Sequence, residues 1–155
     1  MTAPRWCETV RRAAPLAFVR DWVAGTAAIG ALYLLMRVPF HPTQIPGYLL
    51  VVGFDVLEAT LGSTGTRYPL WFAAYLSGLG AAGAVVSRVL RTLAVRTDVS
   101  GWRVGVAGGC VVVGAGALAF ALFVSARVGV VSVLLTGGTA LALFAVAGLF
   151  LRFGA

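Results

Sequence analysis

Long apolar runs, broken by arginine, proline or acid, dominate the chain. A hydrocarbon core of about 30 Å needs about 20 apolar residues of helix. The first qualifying stretch is about Pro15–Val38, uncharged between Trp22 and Met36. The second is Pro69–Ser87, which carries no charge. The third and fourth share Val104–Leu151, whose only charge is Arg127. Those 48 residues would form a helix of about 72 Å, far too long for one crossing. Two spans fit, with a tight turn at Ser125-Ala126-Arg127. The pattern thus predicts spans near 16–38, 69–90, 104–125 and 128–151.

Ile45–Ser63 reads differently, because it is apolar but holds Asp55 and Glu58. Its strong apolar residues supply roughly −2.5 to −5 kcal/mol of insertion free energy, whereas two central carboxylates cost roughly +5 to +7 kcal/mol. Independent insertion is therefore neutral at best. Leu50, Phe54, Leu57 and Leu61 fall on one helical face, while Tyr48, Asp55, Glu58 and Gly62 cluster about 100° round. This predicts a short amphipathic or re-entrant helix near 46–62 on the extracytoplasmic side. The fold class expected is an all-α membrane bundle of four spans plus that helix. It forms one domain over residues 1–155, with 1–14 a cytoplasmic lead and 88–103 a cytoplasmic Arg-rich loop.

Arginine counting sets the orientation. If 46–62 does not cross, Arg5, Arg11, Arg12, Arg20, Arg88, Arg91, Arg96, Arg103 and Arg152 share one side, against Arg37, Arg67 and Arg127. That asymmetry fits a multipass protein of the plasma membrane with both termini cytoplasmic. If 46–62 crosses, the split is even and carries no signal. Trp22, Trp71 and Trp102 sit near span starts, with Tyr48 and Tyr68 at boundaries, as interfacial aromatic belts require. Pro39, Pro42 and Pro46 punctuate the outer loop. The basic N-terminal segment resembles a signal peptide, but without an evident small-residue cleavage site it reads as the lead of an uncleaved first span.

Composition agrees with this class. The chain is 155 residues, 60% hydrophobic and 11% charged, with a net charge of +7. A soluble domain carries about 25% charged residues. All twelve cations are Arg, with no Lys and no Asn, a bias expected of a GC-rich prokaryotic genome. A basic soluble domain would point to nucleic acid; here the arginines lie between apolar runs and set topology, so the bilayer is the expected partner and nucleic acid is not.

The candidate chemistry is sparse. Asp55 and Glu58, spaced i and i+3, direct two carboxylates one way and could bind a cation or carry a proton, with His41 as a third ligand and Arg67 or Arg37 as a countercharge. Gly101, Gly105 and Gly109 form a Gly-x-x-x-Gly ridge, and Ala73, Ser77, Gly80 and Ala84 a similar stripe. Both allow close helix approach, within the bundle or between copies. Thr136-Gly137-Gly138-Thr139 could break the last helix or pack it closely. Cys7 and Cys110 form no C-x-x-C pair, and Cys7 is a candidate for acylation. One histidine cannot supply a bis-His haem site, and no cofactor is expected. Walker, nucleophile-elbow, zinc-protease and dinucleotide motifs are missing from the sequence. The expectation is a non-enzymatic accessory subunit or packing partner of a membrane complex, with a membrane protein or a second copy as partner. The alternatives are a homo-oligomeric cation- or proton-coupled transporter using Asp55 and Glu58, and a membrane-embedded metalloenzyme using His41, Asp55 and Glu58.

Overall fold

The computed structural model describes residues 5–63, 65–93, 101–124 and 129–152, with side chains from residue 15 onward apart from 41, 42, 93 and 124. Among the described residues the chain is all-helical: α1 (Arg5–Leu34), α2 (His41–Leu61), α3 (Tyr68–Leu93), α4 (Gly101–Val124) and α5 (Val130–Arg152). All five are long and apolar enough to span a membrane. The helix expected as a short one over 46–62 therefore begins earlier and runs 21 residues, because Pro42 sits in its first turn, where the missing N–H costs nothing. The segment expected as a loop over 88–103 is also narrower. Arg88 and Arg91 lie on α3, and Gly101 to Arg103 on α4.

Helices α1, α3 and α4 form the core, and α5 packs chiefly on α4. Chain direction follows from paired contacts at the two ends. Tyr33, near the end of α1, packs on Phe72, near the start of α3, with ring centroids 5.0 Å apart. Asp21 of α1 pairs with Arg91 near the end of α3, so α1 and α3 are antiparallel. Trp102 opens α4 and meets Phe150 near the end of α5, so that pair is antiparallel too.

Glycine makes the core possible. A Cβ at Gly83 would lie 3.0 Å from the Gly109 backbone nitrogen, and one at Gly105 would lie 2.8 Å from the Asp21 carbonyl oxygen. Such backbone approach lets dispersion hold helices together where lipid removes the hydrophobic driving force. Ile29, Leu50, Val113 and Leu143 fill the middle of the bundle. Ala107, Cys110 and Ala147 pack the α4–α5 seam toward the Trp102 end.

Helix α2 is tied to the end of the bundle where α1 finishes and α3 begins. The Gln44 amide donates to the Met36 and Val38 carbonyls, which satisfies acceptors left open where α1 stops. Gly47 lies against the Met36 side chain. Phe54 stands edge-on to both Tyr68 and Phe72. Gly62 ends the helix in a backbone conformation (φ +101°) suited to glycine, and its N–H returns to the Glu58 carbonyl.

Candidate functional site

Two polar clusters stand at opposite ends of the core. The first lies where α1, α3 and α4 meet, and Asp21 is its centre. The Asp21 side chain is 0% exposed. Arg91 grips it with two nitrogens, Nη1 at 2.7 Å from Oδ2 and Nη2 at 2.8 Å from Oδ1. The Nη2–Oδ1 contact is a charge-assisted hydrogen bond, and the Nη1–Oδ2 contact is a close ion pair outside hydrogen-bond geometry. Arg91 Nη2 also donates to the Gly101 carbonyl at 3.1 Å, so one side chain joins all three core helices. Arg20 Nε stands 3.7 Å from Asp21 Oδ1, and its guanidinium lies over the Gly101 Cα, where no side chain would fit. One turn back along α3, the buried Ser87 hydroxyl is shared between the Gly83 and Val104 carbonyls, each 2.8 Å away.

The second cluster is the one singled out in the sequence. Asp55 is exposed, whereas Glu58 is half-buried and lines a cleft with Arg67 and Trp71. Asp55 and Glu58 both lie within electrostatic reach of the Tyr68 hydroxyl. The neighbouring apolar stripe is only partly used: Leu50 and Phe54 are buried, but Leu57 is 39% and Leu61 76% exposed. The last turns of α2 run past the edge of the core, so periodicity alone overestimated what is covered. His41 opens α2, and its side chain lies outside the described residues. Among the described residues no three His, Cys, Asp or Glu side chains converge.

The small-residue positions divide. Gly105 and Gly109 face α1, at Asp21 and Gly25 respectively, and Gly80 faces Thr26. Ala84 is fully buried, and the Ser77 carbonyl accepts the Trp22 indole N–H at 2.9 Å. Gly101 instead makes room for Arg20. Helix α5 runs unbroken through Gly137 and Gly138. There the Thr136 and Thr139 hydroxyls each donate to a carbonyl one turn back, at 2.8 Å. Arg127 and the expected turn at 125–127 lie outside the described residues.

Sequence reasoning missed the Asp21–Arg91 pair. Its members are 70 positions apart, and Arg91 reads as one of several topology-setting arginines. The available signal was an acid lying inside the first apolar run. No family model, curated protein or solved structure matches the chain.

Proposed function

We propose that the protein is a multipass plasma-membrane protein with four crossings, α1, α3, α4 and α5, and that α2 folds back at the extracytoplasmic face. The reading rests on where helix ends meet. The end of α1 and the start of α3 share one end of the bundle through Tyr33 and Phe72. A crossing by α2 would carry Leu61 about 31 Å away from His41. Residues 62–67 reach at most about 20–25 Å when fully extended, and Gly65–Arg67 is a helical turn. They could not return the chain to Tyr68. With α2 folded back, nine of twelve arginines fall on the side of both termini, which the positive-inside bias makes cytoplasmic.

Within that topology the protein works as a non-enzymatic accessory subunit or packing partner of a membrane complex. The observation that carries this role is the peripheral position of α5. It attaches through Ala140, Leu143 and Ala147, and turns Val131, Leu134, Leu135 and Leu141 outward. That leaves most of a spanning helix open to another membrane helix, from a partner protein or a second copy. Crosslinking in native membranes from Leu134 or Leu141, followed by purification in mild detergent, tests the role. A partner or dimer captured from those positions supports it; a strictly monomeric protein with no captured neighbour overturns it.

One observation favours a transport reading: an ionisable residue, Asp21, is buried between spans. It argues for a site other than the Asp55/Glu58 pair, which lies toward the surface. Against transport, Asp21 is clamped by Arg91, and the next turns of α1, α3 and α4 touch backbone to backbone at Gly25, Gly83 and Gly109.

A further inference from the structure

We propose that the cleft between the end of α2 and the start of α3 binds the phosphoethanolamine headgroup of an aminophospholipid. The cleft is about 370 Å³ and is lined by Phe54, Glu58, Ser63, Arg67 and Trp71 among others. That volume suits a small polar group. The lining holds one carboxylate and one guanidinium in a single concavity, which is the complement of a zwitterion. Arg67 presents the fork that recognises phosphate oxygens. Glu58 accepts from an ammonium.

Two features reinforce the ammonium end. The cleft lies at the C-terminus of α2, where the last carbonyls have no helical partner and the macrodipole favours a cation. Asp55, one turn earlier on α2, adds a second negative charge outside the lining of the cleft. Ser63 supplies a hydroxyl, and Trp71, half-exposed at the rim, is the residue type that settles at headgroup depth. The apolar wall from Phe54, Leu57 and Leu61 gives the first methylenes of the acyl chains a surface to follow.

The chemistry discriminates among headgroups. Ethanolamine carries three N–H donors for Glu58 and the helix-end carbonyls. Choline carries none, and glycerol offers Glu58 no cation at all. The proposal depends on the chain lying in a bilayer and not on its role as a subunit. The cleft joins a helix end to a helix start, so it meets a membrane boundary whichever way α2 runs.

Native mass spectrometry of the full-length protein in detergent, titrated with phosphatidylethanolamine, phosphatidylcholine and phosphatidylglycerol of identical acyl chains, tests it. The ethanolamine lipid should bind about tenfold more tightly than the choline lipid, as expected from one charge-assisted hydrogen bond set. Glu58→Gln should remove that preference by weakening ethanolamine-lipid binding more than choline-lipid binding, since choline loses only the attraction of the charge and no hydrogen bond. Arg67→Gln should weaken both lipids alike. Equal binding of the ethanolamine and choline lipids to the native protein overturns the proposal, as does a Glu58→Gln protein that keeps the preference. The first comparison needs no variant, so a misfolded mutant cannot hide the answer. Failure to find a protein partner leaves this result untouched, and equal lipid binding leaves the subunit role untouched.

Discussion

Replacing Arg91 by alanine strands a carboxylate. Asp21 is wholly enclosed, and its two oxygens hold guanidinium nitrogens at 2.7 and 2.8 Å. Breaking a buried ion pair from one side costs about 3–5 kcal/mol, because the remaining charge is desolvated without compensation. Two facts lower that figure here. The Arg91 side chain is 32% exposed, so water can follow it into the gap. Arg20 already stands 3.7 Å from Asp21 and can swing closer. The expected loss is therefore about 2–3 kcal/mol, or a fall of about 5–10 °C in melting temperature for a chain of this size. The buried thiol of Cys110 supplies the assay. In a Cys7→Ala background, a thiol-reactive dye in detergent reports the opening of α4 during a thermal ramp. The paired variant Asp21→Leu/Arg91→Met removes both charges and keeps comparable bulk, so it should melt far closer to the native protein than the single variant does. An Arg91→Ala protein melting within about 1 °C of native refutes the reasoning. So does a double variant that melts as low as the single one.

Other predictions follow from the same contacts. Gly83→Ala should cost about 1–3 kcal/mol in the same assay, since its Cβ would press on the Gly109 backbone. Gly137→Ala, in open space on α5, should be neutral or stabilise by up to about 1 kcal/mol. Trp22→Phe should cost about 0.5–1.5 kcal/mol by leaving the Ser77 carbonyl without its indole donor. Asp55→Asn with Glu58→Gln should leave membrane insertion and melting temperature unchanged, read by membrane fractionation and the same dye, because neither acid is locked in the core; loss of insertion would contradict that.

What the sequence made legible followed physical periodicity. Apolar run length placed α3, α4 and α5 within a few residues, whereas α1 begins at Arg5, eleven residues before the expected span, because helix continues through the polar lead that run length ignores. The 3.6-residue repeat found the acidic face of α2. Leu50 and Phe54 bury as their stripe requires. Leu57 and Leu61 do not, because periodicity says which residues share a face and nothing about where the neighbouring helix ends. The glycine ridges signalled close approach, but not that Gly101 would accommodate an arginine rather than a helix. The Asp21–Arg91 pair was hidden for a different reason. Pairing across 70 residues is a tertiary fact, and an arginine that fixes topology looks the same in sequence as one that fixes a buried acid. An acid inside an apolar run is an expensive charge that needs a partner, and the arginines at that end of the bundle are the groups able to supply one.

The fold-back of α2 is the claim on which the topology turns, and cysteine accessibility at its two flanks tests it most directly. Phe40→Cys and Thr66→Cys, each in a cysteine-free background, bracket the helix, and Val95→Cys reports the opposite end of α3. With a membrane-impermeant maleimide on intact cells, the account predicts that positions 40 and 66 both label from outside and that position 95 labels only after permeabilisation. Labelling of positions 40 and 66 from opposite sides would mean that α2 crosses the membrane, and would contradict it.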